Sequence, residues 1–304
     1  MVKKQVSQGK VFLVVVAVLI IIFVLIVKLG STVEIESNGN IAYILVEGVI
    51  TLGASAGVPF QQQIANANVI VSNIESANEN DNIKAIILEI NSPGGTAVAS
   101  KMIADALEKV EKPKIALIRE IGTSGAYWVA SATDQIIADE LSITGSIGVI
   151  GSYLEFAELF EDYGVGYQRL VSGKYKDIGT PLKRLTGEEE RLLQSRLDEV
   201  HEFFIKEVKK NRDIKENDEV FSGIFFLGTE AKELGLIDVF GDKETAVNLA
   251  KELAGVSKED IVEYREERTF FDFFSSISAS TGYYIGKGIG TELVSKDETF
   301  GINL

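Results

Sequence analysis

No cysteine occurs among the 304 residues. Disulfides, thiol nucleophiles and cysteine-based metal sites are therefore excluded, and the redox compartment cannot be read from the chain. Histidine is almost as scarce. His201 stands alone, so a histidine-rich metal site is excluded as well. Positive charge is also short: 30 Lys and Arg face 45 Asp and Glu, for a net charge of −15. Residues 1–28 hold Lys3, Lys4, Lys10 and Lys28 and no acid, so the remainder is more negative still. Such a surface argues against nucleic acid as a partner and suits a soluble, self-repelling body. Neither G-x-x-x-x-G-K-[ST] nor G-x-G-x-x-G occurs, which removes the phosphate-cradling loops of those types. No long internal repeat or low-complexity tract is found. Nothing here calls for a metal or a cofactor.

What is present begins with a long apolar run. Val11–Val27 is unbroken by charge, Gly or Pro. As a helix it would span about 26 Å at about 1.5 Å per residue, near the thickness of a bilayer core. A cleaved signal would have a shorter core and an Ala-x-Ala-like site, and Lys28-Leu29-Gly30-Ser31-Thr32 offers none. Residues 1–28 are therefore expected to be an uncleaved anchor. Lysines precede the run and Glu34 and Glu36 follow it, which places the N-terminus in the cytoplasm and the bulk of the chain outside. Residues 29–40 read as a polar linker.

The chain is 46% hydrophobic, enough for a sizeable core. Ile41–Val46 and Ala85–Ile90 read as buried strands, Lys114–Ile118 and Gln135–Ala138 as further strands, and Tyr167–Val171 as another. Helices are expected over Val58–Asn78 (apolar at Ile64, Val69, Val71 and Ile74), Ala97–Val110, Tyr127–Ala132, Tyr153–Phe160, Glu188–Lys210, Gly228–Leu234 and Lys243–Leu253. This alternation indicates an α/β domain over 41–264 with a mostly parallel sheet. A tail, 265–304, falls outside the pattern.

Three segments could carry chemistry. Gly122-Thr123-Ser124-Gly125-Ala126-Tyr127-Trp128 puts a serine between glycines where a strand gives way to a helix. That bend exposes a nucleophile and points free helix N–H groups at an oxyanion; a capped helix turn is the plainer alternative. Ser92-Pro93-Gly94-Gly95 also lies between strand and helix, and its glycines let backbone N–H groups approach a ligand closely. An ordinary turn would look the same. The third segment supplies a base. His201 lies among Leu197, Val200, Phe204 and Ile205 and reads as a helix-flank residue, so a Ser-His-Asp triad is poorly supported. The remaining base is a desolvated lysine. Ser172-Gly173-Lys174-Tyr175-Lys176-Asp177 offers two, and spacing does not choose between Lys174 and Lys176.

Together, Asn91–Gly95, Thr123–Tyr127, Leu141–Gly151 and Ser172–Asp177, in this order behind a single N-terminal apolar run, resemble the signal peptide peptidase A family of membrane-bound serine peptidases. The resemblance covers about residues 40–240 and no single motif is decisive. It implies the crotonase-like fold shared with the proteolytic subunit of the Clp protease, and a Ser-Lys dyad. By it Ser124 is the nucleophile and Lys176, not Lys174, the base. Gly94, Gly95 and Gly125 supply the oxyanion hole, and Ser146 or Ser172 could hydrogen-bond the lysine. The chain matches the short form with one catalytic unit, so a complete site implies a homo-oligomer. Substrates would be signal peptides or other membrane-derived peptides. One departure is Glu89, where many relatives carry Arg; any partner of that side chain should differ here.

Other readings are a coenzyme A-dependent hydratase on the same fold, a non-catalytic membrane scaffold, and a peptidase acting on membrane-protein termini. The presence of both Ser124 and Lys176 counts against the scaffold. The tail carries Phe270, Phe271, Phe273, Phe274, Tyr283, Tyr284 and Ile285, and between Phe270 and Gly290 only Lys287 is basic. A membrane-surface helix would have a basic face, so protein–protein packing is the expected use of this cluster.

Overall fold

The computed structural model describes residues 39–53, 63–215 and 217–264. The anchor read at 1–28, most of the linker and the tail lie outside the described residues. Among the described residues no helix is long and apolar enough to cross a membrane. In chain order the elements begin with β1 (Ile41–Glu47), β2 (Val49–Thr51), β3 (Ile64–Asn66), α1 (Ala67–Glu79), β4 (Ala85–Ser92) and α2 (Ala97–Glu108). There follow β5 (Lys114–Thr123), α3 (Gly125–Ser131), β6 (Gln135–Ala138), β7 (Ile143–Gly145), α4 (Ala157–Asp162) and α5 (Gly187–Asn211). A 3-10 turn at Asp218–Phe221 leads to β8 (Phe225–Leu227), α6 (Gly228–Leu234), β9 (Val239–Phe240), α7 (Lys243–Ala254) and β10 (Ile261–Tyr264).

The apolar runs form the centre of the main sheet, ordered β10-β1-β4-β5-β6-β9 with every neighbour parallel. A strand covered on both faces needs apolar residues at successive positions, as in Ala85–Leu88, all fully buried. The period of two divides its side chains. Ile86, Leu88 and Ile90 join the core that also holds residues of α1, α2 and α3, while Ala85 and Ile87 join a smaller core with Ala246 and Ala250 of α7. The α/β class and parallel sheet are as expected.

The departures are local. Ile64 lies in β3, not in the first helix, which starts at Ala67 and buries Ile70 and Ile74. Tyr153–Phe160 holds a helix only from Ala157. Tyr167–Val171 is irregular, with Leu170 89% exposed. A strand needs a paired neighbour, and this segment finds none among the described residues. The short strands β7 and β8, antiparallel to each other, have no counterpart among the expected strands.

The sheet brings the chemistry together at the C-terminal end of its central strands. Parallel strands deliver their following loops to the same end, where α/β folds place their sites. In the β4–β5 ladder Ser92 stands opposite Gly122, so the turn after β4 lies beside the bend after β5. On the other side of β5, Thr123 pairs with Gly145 of β7.

Candidate active site

Ser124 follows β5 directly and precedes α3. Its φ is 53° and its ψ −126°. Of the described non-glycine residues only Ser124 and Ser146 have positive φ. Such a conformation costs about 1–3 kcal/mol and persists only where its surroundings impose it. Here the Ser124 N–H donates to the Gly145 carbonyl at 2.8 Å, and the Ser124 carbonyl accepts from Trp128 N–H at 3.0 Å. The side chain makes no capping bond, so the plainer reading of the bend, a serine capping its helix, does not hold. Behind it every residue of α3 is buried. Tyr127 donates its hydroxyl to Leu236 carbonyl at 2.9 Å, and its burial pushes the phenol well above its ordinary range. Trp128 stacks on Phe204 of α5, with ring centroids 4.7 Å apart.

The glycines beside Ser124 have separate tasks. Gly94 has φ +97°, and a Cβ there would stand 2.8 Å from Gly125 N. Its N–H donates to Ser92 Oγ at 3.1 Å, while that buried hydroxyl donates to Gly48 carbonyl at 2.6 Å. Ser92 thus holds the turn in shape and occupies the Gly94 N–H. Gly95 bridges to Ile50 through its flanking groups: Ile50 N–H donates to Gly94 carbonyl and Thr96 N–H to Ile50 carbonyl. The Gly95 N–H makes no hydrogen bond among the described residues, and a Cβ at Gly95 would meet Ile50 carbonyl at 1.9 Å. Gly125 has no more room, since a Cβ would lie 2.2 Å from Ser100 Oγ.

Ser124, Gly95 and Gly125 line one cavity of about 770 Å³. Trp128, Ile150 and Leu197 give it apolar wall, and Ser146 and His201 add polar groups. Ser146 donates its hydroxyl to Gly223 carbonyl at 3.1 Å. His201, expected on a helix flank, is on the cavity wall, with Nε2 3.0 Å from Ile147 carbonyl. The spacing Leu197, Val200, His201, Phe204 marks one helical face and could have given this away. Glu89 proves to be elsewhere. It accepts a hydrogen bond from Tyr43 hydroxyl and stands 4.0 Å from Arg119, on the wall of a separate cavity of about 620 Å³. Among the described residues no group of three or more His, Cys, Asp or Glu side chains could hold a metal ion.

The two lysines differ sharply. Lys174 Nζ reaches both Glu188 oxygens at 2.7 and 2.6 Å, and this contact holds its pKa above the ordinary lysine value. Lys176 is exposed and makes no side-chain hydrogen bond or ion pair among the described residues. It does not line the cavity of its own Ser124. Ser172 is likewise exposed. One chain therefore brings Ser124, Gly94, Gly95, Gly125 and Ser146 together and leaves Lys174, Lys176 and Ser172 apart.

Comparison with known proteins gives the same direction. The profile of Peptidase family S49 matches residues 106–257, and that of Clp protease matches residues 41–136. A protein of Methanocaldococcus jannaschii, designated a protease by name alone, is 32% identical over 302 residues, 93% of this chain and 96% of its own. One of Enterococcus faecium, designated signal peptide peptidase SppA by name alone, is 30% identical over 78% of this chain and 70% of its own. Protease 4 of Haemophilus influenzae is 29% identical over 84% of this chain, which spans 41% of that protein. The chain belongs to the signal peptide peptidase A family, peptidase family S49, and its α/β fold contains a Clp-protease-like domain.

Proposed function

We propose that this serine peptidase works as a membrane-anchored endopeptidase with a Ser-Lys dyad, Ser124 of one copy being served by Lys176 of a neighbour. The observation that carries the reading is the positive-φ Ser124, which lines one cavity together with Gly95 and Gly125. Neutral Lys176 takes the Ser124 proton as Oγ attacks a peptide carbonyl. The oxyanion is held by Gly95 and Gly125 N–H groups, and Gly94 supports the turn through Ser92. The Lys176 ammonium then returns the proton to the leaving amine, and water hydrolyses the acyl-enzyme.

Lys174 is the poorer base, because its pairing with Glu188 favours the ammonium. Lys176 has no side-chain partner among the described residues, and an amine desolvated at a contact between copies gives up its charge more easily. Support for such a contact comes from the segment between β7 and α5, where Ile150, Leu154, Tyr163 and Leu170 are each more than 70% exposed. So much apolar surface in one stretch marks an interaction site. The substrates proposed are remnant signal peptides or other membrane-associated peptides, cleaved outside the cytoplasm by a domain tethered through Val11–Val27.

The test is covalent labelling. Full-length protein in detergent, treated with a fluorophosphonate, should gain one adduct per chain by intact mass, and Ser124→Ala none. Equal labelling of both proteins would remove Ser124 from the mechanism.

A further inference from the structure

The loop that carries Lys176 is laced with charge, and its pairing follows a pattern. Arg169 grips Asp177 with two bonds, Nε to Oδ2 at 2.6 Å and a terminal nitrogen to Oδ1 at 2.8 Å. The same guanidinium donates to Lys174 carbonyl at 3.2 Å. Lys183 stands 3.8 Å from Asp177 and 2.5 Å from Glu189. Glu189 accepts from Thr186 N–H at 2.9 Å and from the Thr186 hydroxyl at 3.0 Å, closing the capping box of α5. Lys174 is held by Glu188, which also accepts from Tyr175 hydroxyl, and Arg184 by Glu155 and Glu158. Of the cations from Arg169 to Arg184, Lys176 alone lacks a carboxylate partner among the described residues.

The structure assigns Arg169 a positioning role: by occupying both oxygens of Asp177 it denies that carboxylate to Lys176, the residue just before it in the chain. The inference rests on the reading of Lys176 as the base. A free carboxylate beside a lysine stabilises the ammonium and spoils the amine as a proton acceptor. Arginine suits the task, because its planar fork satisfies both oxygens at once. The Asp177 side chain is 11% exposed, so little water competes for it. The Arg169 contact, foremost, holds the Asp177 carboxyl below its ordinary range, and Lys183 acts the same way. Lys174 shows the alternative within the same loop: paired with Glu188, it is pushed upward.

The experiment is the pH profile of kcat/KM for a fluorogenic peptide, using full-length protein in detergent. Arg169→Met should move the acidic limb upward by about one pH unit or more, roughly a tenfold loss at a fixed pH on that limb. The loss should fall on kcat rather than KM. The double variant Arg169→Met with Asp177→Asn should return the limb to its wild-type position. Asp177→Asn alone should leave the limb in place or lower it. A double variant as impaired as Arg169→Met would show that Arg169 merely holds the loop together and would overturn the inference. So would an unshifted limb in Arg169→Met, or a raised limb in Asp177→Asn, which decides the matter even where Arg169→Met fails to fold. Failure of the underlying reading looks different: Lys176→Ala would then stay active.

Discussion

Ser124→Ala should abolish peptide cleavage, by roughly a millionfold in kcat if the serine is the nucleophile, while the protein melts within a few degrees of wild type. The two halves of that expectation have separate causes. Chemistry is lost because no other hydroxyl takes the same place. Ser146, the other serine at positive φ, spends its hydroxyl on Gly223 carbonyl. Stability is kept because Ser124 caps nothing with its side chain. Its backbone bonds to Gly145 and Trp128 are untouched by the change, and a substitution that breaks no such feature is usually worth within about 0.5 kcal/mol. Cleavage by the variant at the wild-type rate would place the nucleophile elsewhere.

Lys176→Ala should be equally silent, and at every pH, whereas Lys174→Ala should keep much of the wild-type activity. Removing a general base cannot be repaired by raising the pH if nothing else is positioned to take the proton. Removing Lys174 only takes an exposed cation from Glu188, which keeps its bond from the Tyr175 hydroxyl, and exposed ion pairs contribute little. Wild-type activity should rise with pH, since the amine works deprotonated. An acidic limb near pH 4 would implicate a carboxylate, and one near 6.5 an imidazole. The imidazole has a concrete bearer, because His201 shares the cavity with Ser124. Retention of activity by Lys176→Ala and its loss in His201→Ala would transfer the base to that residue.

The central sheet was legible because burial on both faces leaves a plain mark. Ala85–Ile90 could hardly be anything but an inner strand. The Ser124 bend was legible because strand, glycine and helix each demand their own residue types at that point. The division of labour among the glycines was not legible. Which N–H is spent depends on Ser92 Oγ and on the bridge to Ile50, and residue type carries no record of either. β7 and β8 escaped because strands of three residues are too short to show a period. Tyr167–Val171 misled for the opposite reason. Its apolar content resembles a strand, but no neighbour pairs with it within the described residues, and the exposure of Leu170 leaves it open to another chain. The pairing of Arg169 with Asp177, eight residues on, has no local signature because neither a helix nor a strand links them.

The central claim, a dyad drawn from two copies, is tested most directly by mixing two inactive proteins. Ser124→Ala and Lys176→Ala subunits, dissociated together and reassembled, should regain a fraction of wild-type cleavage, because some contacts then join an intact Ser124 to an intact Lys176. Each variant reassembled alone should stay inactive. If the mixture also stays inactive while its subunits demonstrably co-assemble, the serine and its base come from a single chain and the account is wrong.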